Sequence, residues 1–189
     1  MISLERNRLI DDVWEIVQVE DFSIFEEFDC GDGDLNDFIR NDAKTHKDEL
    51  CAETYLLKFH DIETPPLAFI SLLNDSIKLE TPRQRKLVPN RIRLYKDYPA
   101  VKIGRLGVMA GLQGKNVGTQ FLDITKKLFR TNNRTGCRFI TVEAYKREKV
   151  LSFYQYNGFK FFPLHDEEPE DEDEETKFMY FDLASYRLS

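Results

Sequence analysis

The stretch Ile103-Gly104-Arg105-Leu106-Gly107-Val108-Met109-Ala110-Gly111-Leu112-Gln113-Gly114-Lys115-Asn116-Val117-Gly118-Thr119 changes its character halfway along. The segment that begins at Ala100 and runs to Met109 is apolar and β-branched, which predicts a strand. Beyond it, Val117, Phe121, Ile124 and Leu128 fall at the spacing of one helix face. A glycine-bearing turn joins the two. A strand that feeds such a turn and then a helix offers backbone N–H groups, at the positive end of the helix dipole, to an anion. Gly114 and Gly118 would let a pyrophosphate approach the main chain closely. Taken alone, a glycine turn between strand and helix is more often a plain connector, and its local chemistry leaves both readings open. It contains neither G-x-x-x-x-G-K-[ST] nor G-x-G-x-x-G, so an ATP P-loop and a dinucleotide fold are not supported.

Upstream, residues 14–19 alternate as a first strand. Gly31-Asp32-Gly33-Asp34 then supplies turn residues and an N-cap before the helix face Leu35, Phe38, Ile39 and Ala43. Residues 52–59 and 67–79 read as two strands around a proline-bearing turn. Residues 81–98 form a basic connector in which Pro82 and Pro89, with Pro99 just beyond, limit regular structure. Downstream, residues 137–145 make the next strand. Val150, Leu151 and Tyr154 mark a helix that stops at Asn157-Gly158, and residues 159–164 and 177–183 close the chain as strands. The order β-α-β-β-β-α-β-α-β-β predicts an α/β chain with a mixed sheet of about seven strands, in one domain over residues 1–189.

Composition bounds the function. The 189 residues are 41% hydrophobic and 13% aromatic, enough for a substantial core and unlike a disordered chain. Charged residues follow Met1 almost at once, and no run approaches the ~20 apolar residues of a membrane span, so a cytoplasmic protein is expected. Cys30, Cys51 and Cys137, like His46, His60 and His165, are too scattered for a disulfide framework or a metal site. The net charge of −7 is local: nine of the ten residues 166–175 are acidic, and without them 27 basic residues face 25 acidic ones. A loop at 165–176 is the simplest reading of that run. Conversely Arg83, Arg85, Lys86, Arg91, Arg93 and Lys96 occur with no acid among them, either as a solvated connector or as a surface for RNA phosphates.

Two motifs together resemble the GNAT superfamily of N-acetyltransferases. Gln113 and Gly118 match the ends of its Gln/Arg-x-x-Gly-x-Gly/Ala signature, with Asn116 where the central glycine is expected. Phe153-Tyr154-Gln155-Tyr156-Asn157-Gly158-Phe159 is similar to its F-Y-x-x-x-G-F element. Phe28-Asp29-Cys30-Gly31, and Tyr98-Pro99 ahead of residues 103–108, resemble the bacterial subgroup that includes toxins acting on aminoacyl-tRNA.

The resemblance implies a mostly antiparallel central sheet flanked by helices, and acetyl-CoA as co-substrate with no metal. Residues Gln113, Gly114, Lys115, Asn116, Val117, Gly118 and Thr119 would hold the pyrophosphate. The main chain of Leu106, Gly107 and Val108 would pair with the pantetheine arm and stabilise the developing oxyanion. Tyr154 would act as general acid toward the leaving thiolate, and Glu143 or ordered water would take the amine proton. The expected activity is N-acetylation of a primary amine. Its alternatives are a toxin acting on aminoacyl-tRNA, with tRNA and an antitoxin as partners, and a catalytically inactive CoA-binding or interaction module. Either a monomer or a homodimer is compatible with the sequence. Asn116 either narrows the approach of the pyrophosphate or, since asparagine tolerates positive φ, preserves the loop.

Overall fold

The computed structural model describes residues 3–5, 8–10, 13–60, 62, 64–131, 135–163 and 175–187. The acidic run expected at 165–176 therefore lies outside the described residues, apart from Glu175 and Thr176.

Among the described residues nine strands hydrogen-bond into one sheet. They are β1 (Ser3–Glu5), β2 (Arg8–Ile10), β3 (Trp14–Gln18), β4 (Glu53–Phe59), β5 (Ala68–Lys78), β6 (Asp97–Val108), β7 (Phe139–Tyr145), β8 (Lys160–Phe161) and β9 (Thr176–Asp182). Their order is β1-β2-β3-β4-β5-β6-β7-β9-β8. The pairings β1–β2, β2–β3, β3–β4, β4–β5, β7–β9 and β8–β9 are antiparallel. The seven strands read from the sequence are β3 to β9, and the two three-residue strands ahead of them were not expected. Helices are α1 (Gly33–Asp37), α2 (Ala43–Asp48), α3 (Pro82–Arg85), α4 (Val117–Thr131) and α5 (Glu148–Tyr156). A π-helical turn, Phe38–Asp42, joins α1 to α2. The chain forms two compact units: Met1–Leu73 with Ile103–Asn132, and Asn74–Lys102 with Asn133–Ser189.

In the first unit Asp32 caps α1, its carboxylate accepting from the Leu35 N–H. The apolar face then delivers Phe38, Ile39 and Ala43 to a core with Val19, Phe25, Phe28, Leu56 and Phe69. Phe69 is its hub. Its ring lies 5.6 Å from Phe28 and 6.0 Å from Phe25 in edge-to-face contact, and 6.4 Å from Phe38. Each such pair adds about 0.5–1.5 kcal/mol beyond area burial. A Cβ at Gly107 would stand 2.4 Å from Phe69 Cε1, so β6 passes over this ring only as glycine.

The second unit centres on Phe139, flanked edge-to-face by Tyr98 and Tyr180 and packed with Ile77, Leu79, Val88 and Ala100. The connector here is more regular than its prolines suggested. Pro82 occupies the first turn of α3, where its missing N–H costs nothing, and Thr81 and Gln84 form a reciprocal capping box. Buried Gln84 also donates to the Pro163 carbonyl at 2.8 Å.

The end of α5 is a Schellman motif: the Gly158 N–H donates to Gln155 O at 2.9 Å and the Phe159 N–H to Tyr154 O at 3.0 Å. Gly158 takes φ 81°, and the Tyr154 and Phe159 rings close the motif at 5.3 Å.

Substituting Gly107→Ala should lower stability by ~2 kcal/mol or more, a melting decrease of about 4–8 °C for a domain of this size, with no comparable loss for Gly111→Ala. Gly111 has open space around it. Thermal denaturation of the two variants checks this.

Candidate functional site

The first unit assembles a continuous run of main chain from β6 through the glycine turn into α4. Residues 113–116 are exposed, whereas Val117 and Gly118 are buried in the first turn of α4. Two residues in this turn adopt left-handed conformations, Gly114 at φ 75° and Asn116 at φ 66°. Asn116 thus takes the backbone shape that glycine would take, and the departure from the motif leaves the loop intact. Among the described residues no acceptor holds the N–H groups of Gly114 and Asn116. The first turn of α4 adds N–H groups that lack intrahelical partners, at its positive dipole end. Lys115 is exposed beside them and is a mobile point charge.

Gln113 has a role its motif position did not disclose. Its side-chain amide turns back, donating from Nε2 to Cys30 O at 2.7 Å and to Val108 O at 3.2 Å. It anchors the turn, and the exposed face of the loop is left to the main chain. The signal lay in the residue type, since glutamine carries two N–H donors on one nitrogen.

Leu106 and Val108 are half-buried and Gly107 is buried, as expected of a strand whose side chains pack. Arg105, one residue ahead, stacks over Phe38 at 5.3 Å and pairs with Asp34 at 3.6 Å.

Tyr154 and Glu143 belong to the second unit. Tyr154 is 6% exposed in the last turn of α5, between Phe153 and Phe159. Burial pushes its phenol well above the ordinary value, which keeps the proton on oxygen. Among the described residues nothing hydrogen-bonds its hydroxyl. Glu143 lies near the end of β7 with its side chain 54% exposed, in an ion pair with Lys102 at 3.0 Å. The structure therefore gathers residues 106–108 and 113–119 in one unit, and sets Tyr154 and Glu143 on α5 and β7 of the other. Among the described residues no group of His, Cys, Asp and Glu is placed to hold a metal.

No protein-family model matches the chain. A mostly antiparallel mixed sheet with a glycine-bearing strand-to-helix turn is the GNAT fold, and solved structures show that this chain has it. A tyrosine-to-phenylalanine mutant of KacT is similar with a TM-score of 0.70 at 22% identity, covering 92% of this chain and 97% of the other. AtaT complexed with acetyl-methionyl-tRNAfMet gives 0.67 at 22% identity over 91% of this chain and 96% of its own. AtaTR bound with acetyl-CoA gives 0.64 at 24% identity over 93% and 96%. What is shared at these identities is the fold.

The left-handed backbone at 116 sets an order of substitutions. Asn116→Gly should keep the melting temperature within about 2 °C, while the β-branched Asn116→Val should lower stability by ~1–2 kcal/mol. Equilibrium denaturation separates them.

Proposed function

We propose that the chain is an acetyl-CoA-dependent N-acetyltransferase acting on a primary amine. The observation that carries this reading is the exposed turn of residues 113–116, with Gly114 and Asn116 both left-handed and their N–H groups without acceptors, set between β6 and α4. Such an array suits a pyrophosphate. The likeness to AtaTR, solved with acetyl-CoA, supports the choice of ligand. In this reading residues 113–119 hold the pyrophosphate and the main chain of Leu106, Gly107 and Val108 pairs with the pantetheine arm. Acetyl-CoA supplies the thioester whose acyl group is transferred.

The chain's own contribution is orientation and proton management. The neutral amine forms the new N–C bond as the C–S bond breaks. Tyr154 gives the departing sulfur its hydroxyl proton, and the proton lost by the amine leaves through water or Glu143. Water is the better route, because Glu143 would have to exchange Lys102 for the substrate. A buried phenol suits the acid role, since burial holds the proton in place until a thiolate forms beside it. The reading places the protein in the cytoplasm, where acetyl-CoA is made available to it.

A second reading narrows the amine to that of aminoacyl-tRNA. Lys86, Arg91 and Lys96 are exposed on the connector together with Tyr95, at 65%, and Leu94, at 91%. Cations interleaved with an exposed aromatic ring suit a nucleic-acid backbone and a stacked base. Arg85 and Arg93 instead donate to the carbonyls of Leu79 and Val88 and stiffen this surface. AtaT has been solved with acetyl-methionyl-tRNAfMet, and the AtaT toxin with the C-terminus of the antitoxin AtaR. An antitoxin partner would follow from the same reading.

Thiol release from acetyl-CoA, measured against an amine panel and aminoacyl-tRNA, tests both. Tyr154→Phe should cut kcat by about 10²–10⁴ while acetyl-CoA affinity stays unchanged. Because burial raises the phenol's pKa, the rate should rise as the amine loses its proton and show no falling limb below about pH 10. Acetyl-CoA binding with no turnover on any amine would leave a binding module. For aminoacyl-tRNA, reversing charge at Lys86 and Arg91 together should weaken binding and flatten its salt dependence by about two counterions.

A further inference from the structure

The segment ahead of α1 forms a polar latch on the turn that precedes α4. Asp29 Oδ1 accepts from the Gly31 N–H and from Asn36 Nδ2, both at 2.7 Å. Asn36 Oδ1 accepts in turn from the Cys30 N–H at 3.0 Å and from the Cys30 thiol at 3.1 Å. The two peptide units fixed in this way then receive the turn. The Ala110 N–H donates to Asp29 O at 2.9 Å, and Gln113 Nε2 donates to Cys30 O at 2.7 Å. Gly31 completes the seat at φ 76°, where an added Cβ would meet Ala110 Cβ at 4.0 Å.

These ties decide where the loop begins. Its far end is fixed by α4, whose Gln120 N–H donates to Asn116 O at 3.0 Å. At its near end, Gln113 is held by side-chain bonds to Cys30 and Val108, and only then does the chain turn left-handed at Gly114 and Asn116. Asp29 is exposed and Asn36 half-buried, and hydrogen bonds at such positions add little to global folding. Their effect falls instead on the position of residues 110–113.

We infer that Asp29 and Asn36 are positioning residues for the pyrophosphate of acetyl-CoA, which hold residues 110–113 so that the Gly114 and Asn116 N–H groups are set before the ligand arrives; this rests on the acetyl-CoA reading above. Neither residue touches the ligand. They act through Cys30 and Gln113 by removing an ordering cost that binding would otherwise carry. The Gly31 N–H, and then Asn36, hold the Asp29 carboxyl below the usual carboxylate range, so the acceptor at the centre of the latch is ionised at neutral pH.

The test compares two ligands. Acetyl-CoA is titrated by calorimetry, and S-acetylpantetheine, which keeps the thioester arm and lacks the pyrophosphate, by NMR shift titration. Asn36→Leu removes both halves of the asparagine's role. Asn36→Asp, of the same shape, keeps the acceptor for Cys30 and sets a second carboxylate against Asp29. Both should weaken acetyl-CoA by about tenfold while S-acetylpantetheine stays within about twofold of wild type. Asp29→Ala removes the acceptor shared by the Gly31 N–H and Asn36 Nδ2 and should show the same selective loss. Equal losses on both ligands, or undiminished acetyl-CoA affinity in these variants, would overturn the latch. A wild-type chain with no measurable affinity for acetyl-CoA overturns the reading of the cradle instead.

Discussion

One steric constraint governs the first unit: the ring of Phe69 occupies the space a side chain at 107 would need. Phe69 is held on its other sides by Phe25, Phe28 and Phe38, so it has no room to withdraw. At Gly104 a Cβ would stand 2.9 Å from a methyl at the end of the half-buried Leu73 side chain, which is flexible enough to shift. In this half of β6 the firm limit is therefore the one at 107. A strand shaped in this way is read by its neighbours through peptide groups more than through side chains. The packing of the core thus makes its sharpest demand on the sequence at position 107, and glycine satisfies it.

The same unit shows how a polar turn is held without a large core of its own. The glutamine of the motif does not face outward. It bonds to a segment more than 80 residues earlier in the chain, and that segment is shaped by an asparagine and an aspartate within α1 and its approach. The outward face of the turn is left to N–H groups whose direction is set by two left-handed residues. One is glycine, and the other is asparagine, the side chain best able to replace it there.

How much of this was legible in the sequence follows from which interactions are local. Periodicity placed β3 to β9, α4 and α5 because each carries its own pattern. Asn157-Gly158 announced the end of α5 because the stop needs a left-handed residue and glycine supplies it. Helix α2 ends in the same hydrogen-bond pattern, yet its left-handed position is Leu50, at φ 58°, and nothing in the residue type gives that away. Helix α3 was hidden by a proline read as a breaker, although Thr81 and Gln84 stood at capping-box spacing around it. The turn's place between β6 and α4, and that of Tyr154 on α5, were legible through their patterns. The partner of Glu143 and the bonds of Gln113 were not, since both depend on residues distant in sequence.

The Schellman motif at the end of α5 has a corollary for the placing of the phenol. Tyr154 is the residue whose carbonyl receives the closing bond and whose ring receives Phe159, so the helix stop and the phenol are registered by the same six residues. The hydrogen bonds of the stop are complete by residue 159. The register of the phenol in its helix is thus written locally, and changes of charge in the run at 166–175, nine of whose ten residues are acidic, leave those bonds in place.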